Sequence, residues 1–262
     1  MSATPQRIVC LSAEVADWLW RIGAWDQVAG VTSYFAQPTG VPLKPRVSGF
    51  SSANLDQITQ LNPDLVISFS DVQAGITGAL VNRGIPVLAT NQRTLADIEA
   101  ALGLLARVVG CEAVGERFLR KFHEELAPVA TNGPRPRVYF EEWNDPLIAG
   151  IGWVSELIER AGGENVFPDL RSRSAAPDRI VAPERVVQAN PDIIFASWCG
   201  KPVSPSEIAA RPGWENVTAV REKRIYEIPG ADILQPGFRL IHGYDQIQRH
   251  LQALTCDAAL SH

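Results

Sequence analysis

Residues 112–130 read EAVGERFLRKFHEELAPVA. Val114, Phe118, Leu119, Phe122 and Leu126 recur at the helical period, while Glu116, Arg117, Arg120, Lys121, Glu124 and Glu125 cover the other side. The spacing predicts one amphipathic helix over the whole stretch. Its flanks decide the fold. Upstream stands NPDLVISF, residues 62–69; downstream stands NPDIIFAS, residues 190–197. Both are Asn-Pro-Asp followed by a short apolar run. Their offset, 190 − 62 = 128 residues, is half a chain and far beyond a solenoid or propeller period. Two similar lobes joined by a helix, with a cleft between them, are therefore expected. Residues 1–110 form the first lobe, 111–132 the bridge and 133–262 the second lobe.

Outward from the helix, strands and helices alternate. RIVCL (7–11), VAGVTS (28–33), LVI (65–67) and IPVLAT (85–90) read as strands of the first half, with a Pro-rich loop running to Pro45. Helices fall at Ala13–Ile22, stopped by Gly23, at residues 55–61 before Pro63, at residues 71–84, and at residues 95–110 with Thr94 as N-cap. After the long helix the pattern restarts. VYF, IIFAS and RIYEIP read as strands, and SELIER, APERVVQA, PSEIAA and the last two dozen residues read as helices. Alternation of this kind means an α/β class with mainly parallel sheets.

Composition narrows the function. The chain has 262 residues, 46% hydrophobic, with net charge −5 from 24 basic and 29 acidic side chains. Its pI is about 5.5 and its mean hydropathy is −0.01. No Lys/Arg block is present to track a phosphate backbone, so nucleic acid is not an expected partner. No apolar run approaches the roughly 20 residues of a bilayer span. The start, MSATPQRIVCLSAEV, lacks a basic region followed by an apolar core, so the expected location is the cytoplasm, or the periplasm if a leader was trimmed. Cys10, Cys111, Cys199 and Cys256 form no CxxC pair and read as reduced, mostly buried thiols. No GxSxG, GxxxxGK[ST] or GxGxxG motif stands where catalysis would need it, so the chain is not expected to be an enzyme.

The blocks RIVCLSAEVADWLWRIGAWDQVAGVTSY, SSANLDQITQLNPDLVIS, RGIPV, ERAGGENVF, APERVVQANPDIIF and AVREKRIYEIP come in an order that resembles the helical-backbone metal-receptor superfamily. These are substrate-binding proteins of ABC importers for cobalamin, iron–siderophores and haem, and the likeness covers nearly the whole chain. Within the superfamily the chain is most similar to the cobalamin-binding members. The resemblance implies two Rossmann-like lobes with mainly parallel sheets, bridged by one long backbone helix. It implies a metal chelate held at the strand carboxyl ends of both lobes, little hinge motion, a monomer and no intrinsic cofactor. Open parallel sheets bind at those ends in general.

The loops that follow the expected strands supply the candidate contacts: Ser12, Tyr34, Phe35, Phe69, Asp71 and Gln92 in the first half, and Trp143, Trp198, Cys199, Asp232 and Gln235 in the second. The set is aromatic with a few hydrogen-bonding groups, which suits a large planar organic ligand better than a bare ion. Phe69 matches a position where cobalamin binders carry an aromatic over the corrin, and a core phenylalanine is an equal reading. Trp198, beside Gly200, has no obvious core to enter. Trp143 reads as part of a polar loop, and Trp153 as a staple for the helix that follows it. Asp232 lies near a ligand-contacting aspartate of the family. Glu141 and Glu142 are adjacent on a strand, point to opposite faces, and so make no acid/base pair. His123, His242, His250 and His262 all avoid the expected loops, so a free-metal site is not expected. Cys199 as a soft axial ligand is a minor reading.

Importer-docking members carry an exposed glutamate on each lobe. Glu207 matches in the second lobe, and SDVQAGITGAL in the first has none, so an ABC permease is an open partner. Arg93, Arg171 and Arg173 keep an anionic iron–siderophore, or haem, as the alternative ligand. A cytoplasmic cofactor-handling enzyme or chaperone on the same fold is the alternative of another class.

Overall fold

The repeated Asn-Pro-Asp does the same structural work twice. Asn62 and Asn190 both adopt the left-handed backbone conformation, with φ of 46° and 42°, and each ends a helix, Leu55–Gln60 and Pro183–Ala189 respectively. Asparagine tolerates that conformation better than other side-chain-bearing residues, and the following proline cannot continue a helix. The aspartate then ties the start of its strand to a neighbour. Asp64 accepts from the Arg7 amide at 2.9 Å, and Asp192 accepts from the Arg137 amide at 2.8 Å. The motif is therefore a strand-entry clamp at the amino ends of the sheets.

The computed structural model describes residues 4–131 and 133–260, without the side chains of residues 256–260; the Cys256 side chain and His262 lie outside the described residues. The chain divides into two compact units, residues 1–123 with 236–238, and residues 124–235 with 239–262.

In the first unit the strands are β1 (Ile8–Cys10), β2 (Val28–Thr32), β3 (Arg46–Ser48), β4 (Leu65–Phe69) and β5 (Val87–Thr90). They form one sheet in the order β3-β2-β1-β4-β5, parallel throughout. All five carboxyl ends therefore emerge along one edge. Val9, Leu11, Val47, Ile58, Val66, Leu80 and Ile85 form a core cluster. A second cluster gathers Trp18 with Phe118 and Phe238 at ring separations of 6.1 and 6.0 Å, and Trp18 Nε1 donates to the Leu102 carbonyl. Thr94 caps Leu95–Val108 with a full capping box through Asp97.

The sequence-predicted helix over 112–130 is shorter in fact, Glu112–Glu125. Pro128 disfavours the helical conformation of the residue before it and lacks the amide needed to continue. Phe122 and Leu126 of the apolar stripe are fully buried, and Phe118 is half-buried. Gly115 permits close approach to the preceding helix, since a Cβ there would meet the Ala106 Cβ at 2.5 Å. β3 was not anticipated: it lies just past the expected Pro-rich loop, which ends at Pro45, and with Val47 as its one apolar residue it offers no pattern to read.

In the second unit the strands are β6 (Arg137–Asn144), β7 (Leu147–Ala149), β8 (Glu164–Asn165), β9 (Ile193–Ala196) and β10 (Ile225–Glu227). The sheet order is β10-β9-β6-β7, with β8 also paired to β6. β6, β9 and β10 run parallel and β7 returns antiparallel to β6. Tyr139, Phe167, Ile194, Trp198, Ile208 and Trp214 belong to its core cluster. Among the described residues no helix is long and apolar enough to cross a membrane.

Candidate functional site

In open sheets the carboxyl ends of the parallel strands are the general place for a ligand. In the first unit that edge is stitched together by Gln73, which is buried. Its Oε1 accepts from the Phe69 amide at 2.9 Å, and its Nε2 donates to the carbonyls of Leu11 and Phe50 at 3.1 and 2.9 Å. One side chain thus fixes the loops beyond β1, β3 and β4. Ser70 sits in the same loop with φ 57° and ψ 177°, a region that side chains rarely occupy. It is held there by its amide on the Thr90 carbonyl at 2.7 Å and its hydroxyl accepting from the Val72 amide at 3.2 Å. Ser70→Val is expected to lose about 2–3 kcal/mol in urea unfolding, and Ser70→Gly to stay within about 1 kcal/mol of wild type.

The strain has a geometric result: it turns Asp71 and Val72 outward. Asp71 is exposed and receives Arg93 Nη2 at 2.8 Å, and the Arg93 guanidinium lies 5.9 Å from the Phe69 ring. Phe69 itself is mostly buried. Tyr34, Phe50 and Val72 are exposed apolar side chains, 49%, 45% and 46%, that follow β2, β3 and β4 in turn. Neither Phe50 nor Val72 was expected from the sequence; finding Phe50 needed β3 to be recognised first. Phe35, an expected contact, is buried against Trp25 at 5.4 Å. Ser12 and Gln92 are buried at the edge.

Ser12 leads into the helix Ala13–Arg21, whose first turn carries Glu14. Burial raises the Glu14 carboxyl to about 7.

In the second unit the carboxyl end of β6 carries two acids, each gripped by an arginine. Glu141, fully buried, receives Arg211 Nη1 and Nη2 at 2.6 and 2.8 Å and Trp198 Nε1 at 3.0 Å. Glu142 receives Arg179 at 2.5 and 2.9 Å and the Ile151 amide at 3.1 Å. The two acids do point to different partners, as strand alternation requires. Neither arginine was singled out from the sequence, because both lie 37 or more residues away from their acids.

Trp198 corrects its sequence-based description. It does have a core to enter: it is 3% exposed, inside the cluster of Tyr139 and Trp214, with its indole nitrogen on Glu141. Trp143 is a strand residue rather than a loop residue, half-buried at the end of β6, its indole donating to the Asp145 carbonyl. Trp153 lies inside the first turn of Gly152–Arg160, is buried, and donates to the Ile233 carbonyl, so it is not a staple from outside the helix. Asp232 is buried and paired with Arg239 at 2.5 Å; Gln235 is half-buried. Cys199 is exposed rather than buried, while Cys10 is buried and Cys111 half-buried. Partial burial, with Glu142 nearby, raises the Cys199 thiol. Glu207 is exposed in the first turn of Pro205–Ala209.

Arg171, expected to be available to an anion, is engaged with Glu159 at 2.7 Å. His123 lies beside Glu99 at 3.5 Å, and His250 stacks on Tyr226 at 3.9 Å. Among the described residues no group of three or more His, Cys, Asp or Glu is placed to hold a metal ion.

Known proteins match this architecture. A family model described as periplasmic binding protein matches residues 8–231. A vitamin B12-binding protein of Vibrio parahaemolyticus is 25% identical over 256 residues, covering 95% of this chain and 90% of its own. The crystal structure of the periplasmic vitamin B12 binding protein BtuF of Vibrio cholerae superposes with a TM-score of 0.74 at 21% identity, over 95% of this chain and 97% of that one. The periplasmic heme-binding protein BhuT, in complex with two hemes, superposes with a TM-score of 0.79 at 17% identity, over 95% and 98%. At these identities the two superpositions speak for the fold alone.

Proposed function

The chain belongs to the periplasmic binding protein family, and we propose that it is a non-catalytic binding protein for a metal chelate, a corrinoid of the cobalamin type. The observation that carries the proposal is the alignment with a vitamin B12-binding protein along 95% of the chain. The surface chemistry supports it. Tyr34, Phe50 and Val72 offer exposed apolar contact to a flat macrocycle. Each unit, taken by itself, would offer such a ligand hydrogen-bonding or ring neighbours: Asp71 and Gln92 in the first, and Trp143, Cys199, Asp232 and Gln235 in the second. The ligand arrives with its metal already chelated, so the protein needs to supply no full coordination sphere. In this proposal the chain works as a monomer that hands its ligand to an ABC importer permease, with Glu207 as the acid that meets the permease.

Mixing the purified protein with cyanocobalamin, haem or a ferric siderophore, followed by gel filtration, tests the proposal. Cobalamin absorbance should travel with the protein at one ligand per chain. Absence of co-elution for cobalamin, with or without the others, sinks it. Phe50→Ala should weaken cobalamin binding about tenfold, roughly 1.4 kcal/mol, read by titration of tryptophan fluorescence. An unchanged affinity removes Phe50 from the contact surface.

A further inference from the structure

We infer that the strand-end surface selects a ring chelate whose side arms are neutral carboxamides over one whose arms are carboxylates, and that the Asp71–Arg93 ion pair enforces the choice in the first unit. This rests on the corrinoid reading above and sharpens it to a chemical class. An arginine at a ligand edge normally invites a carboxylate, because its planar fork matches two oxygens. Arg93 is only partly open in that way: its Nε is buried without a partner, and both terminal nitrogens are engaged. Its Nη2 donates to Asp71 at 2.8 Å, its Nη1 to the Gln92 carbonyl at 2.9 Å, and its ring contact with Phe69 fixes its plane. The guanidinium side chain is 18% exposed, and that of Asp71 is 66% exposed. An approaching carboxylate therefore meets the negative partner first and must displace it.

A neighbouring polar atom favours the neutral arm. Gln92 is 2% exposed and its Oε1 has no partner. An amide oxygen only accepts, so it can take an N–H from a carboxamide, whereas an ionised carboxylate has none to give. Leaving such a buried atom unpaired in the complex is unfavourable.

The second unit, taken by itself, follows the same rule. Arg179, Arg211 and Arg239 each end on a carboxylate, Glu142, Glu141 and Asp232 in turn. Lys201, an ammonium over the Trp198 ring at 4.8 Å, and Arg173 are not tied in this way, but both are exposed and hence hydrated and screened.

The test holds corrin and cobalt constant and changes only the arms. Equilibrium binding of cobinamide, with carboxamide arms, and of cobyrinic acid, with carboxylate arms, is measured on wild type and on Asp71→Asn at one pH and ionic strength. Wild type should bind cobinamide at least about tenfold more tightly. Asp71→Asn, with a native circular dichroism spectrum, should narrow that ratio about tenfold by gaining affinity for cobyrinic acid, since Arg93 is released. Equal wild-type affinities overturn the selection, and a ratio untouched by Asp71→Asn overturns the role of the ion pair. Binding of neither compound overturns the corrinoid reading itself.

Discussion

Arg211→Ala destabilises the protein by about 3–5 kcal/mol, the largest loss expected from a single substitution at the strand ends. Glu141 has no exposure to water, and its two oxygens are answered by the Arg211 fork and by the Trp198 indole. Removing the arginine leaves a buried carboxylate with one neutral donor. It also removes the guanidinium from its place 4.7 Å from the Trp214 ring. Removing both charges is milder, because no ion is left stranded, so Glu141→Gln combined with Arg211→Met should cost less than half as much as Arg211→Ala. Urea unfolding followed by tryptophan fluorescence reports on this region directly through Trp198 and Trp214. A loss below about 1 kcal/mol for Arg211→Ala would show that water or relaxation replaces the fork.

The second large effect is a pH dependence centred on Glu14. Burial moves its carboxyl from the ordinary 4.5 to about 7. The sign follows from proton counting. Below about pH 4.5 both folded and unfolded chains hold the proton. Between about 4.5 and 7 the unfolded chain has released it and the folded chain keeps it, so stability falls as pH rises through that window. The full fall is about 3 kcal/mol, from 1.36 kcal/mol per pH unit over the shift. Glu14→Gln keeps the shape and cannot ionise. It should be more stable than wild type by about 2–3 kcal/mol at pH 8 and close to it at pH 4. Matching pH profiles for the two proteins would mean that Glu14 reaches solvent or a cationic partner.

The α/β class, the parallel sheets and the two-fold restart of the pattern were legible because period and punctuation carry them. Asn62-Pro63-Asp64 and Asn190-Pro191-Asp192 announce the duplication, although their structural role, a strand-entry clamp on Arg7 and Arg137, needed the hydrogen bonds to be visible. The helix from Glu112 was overextended because an apolar stripe continues to Leu126, while Pro128 acts one turn before its own position. β3 and β8 carry at most one apolar residue each and so leave no periodic trace, whereas β1, just as short, is wholly apolar.

Side-chain destinations were harder. Phe35 and Phe50 both follow a strand of the first unit, yet one is buried and the other exposed. Nothing local to either residue distinguishes them; Arg46, which donates to the Thr32 and Phe35 carbonyls, sets the loop that buries Phe35. Trp198 looked homeless only because its core is built largely from residues far away in the chain, Tyr139 and Phe167 among them. The same separation hid the two arginine forks. Charge pairing over 37 and 70 residues leaves no pattern in a single sequence, and it decides whether an arginine is an anion site or a strut.

That the strand carboxyl ends are where the ligand is read can be measured by amide hydrogen exchange with and without saturating cyanocobalamin. Slowed exchange is predicted in the loops after β1 to β5 and after β6 and β9, including residues 34–35, 49–53, 70–73 and 91–93. Exchange at the amino ends of the strands, around Asn62 and Asn190, should stay unchanged. Protection confined to those amino ends, or no protection anywhere while ligand is bound, would contradict it.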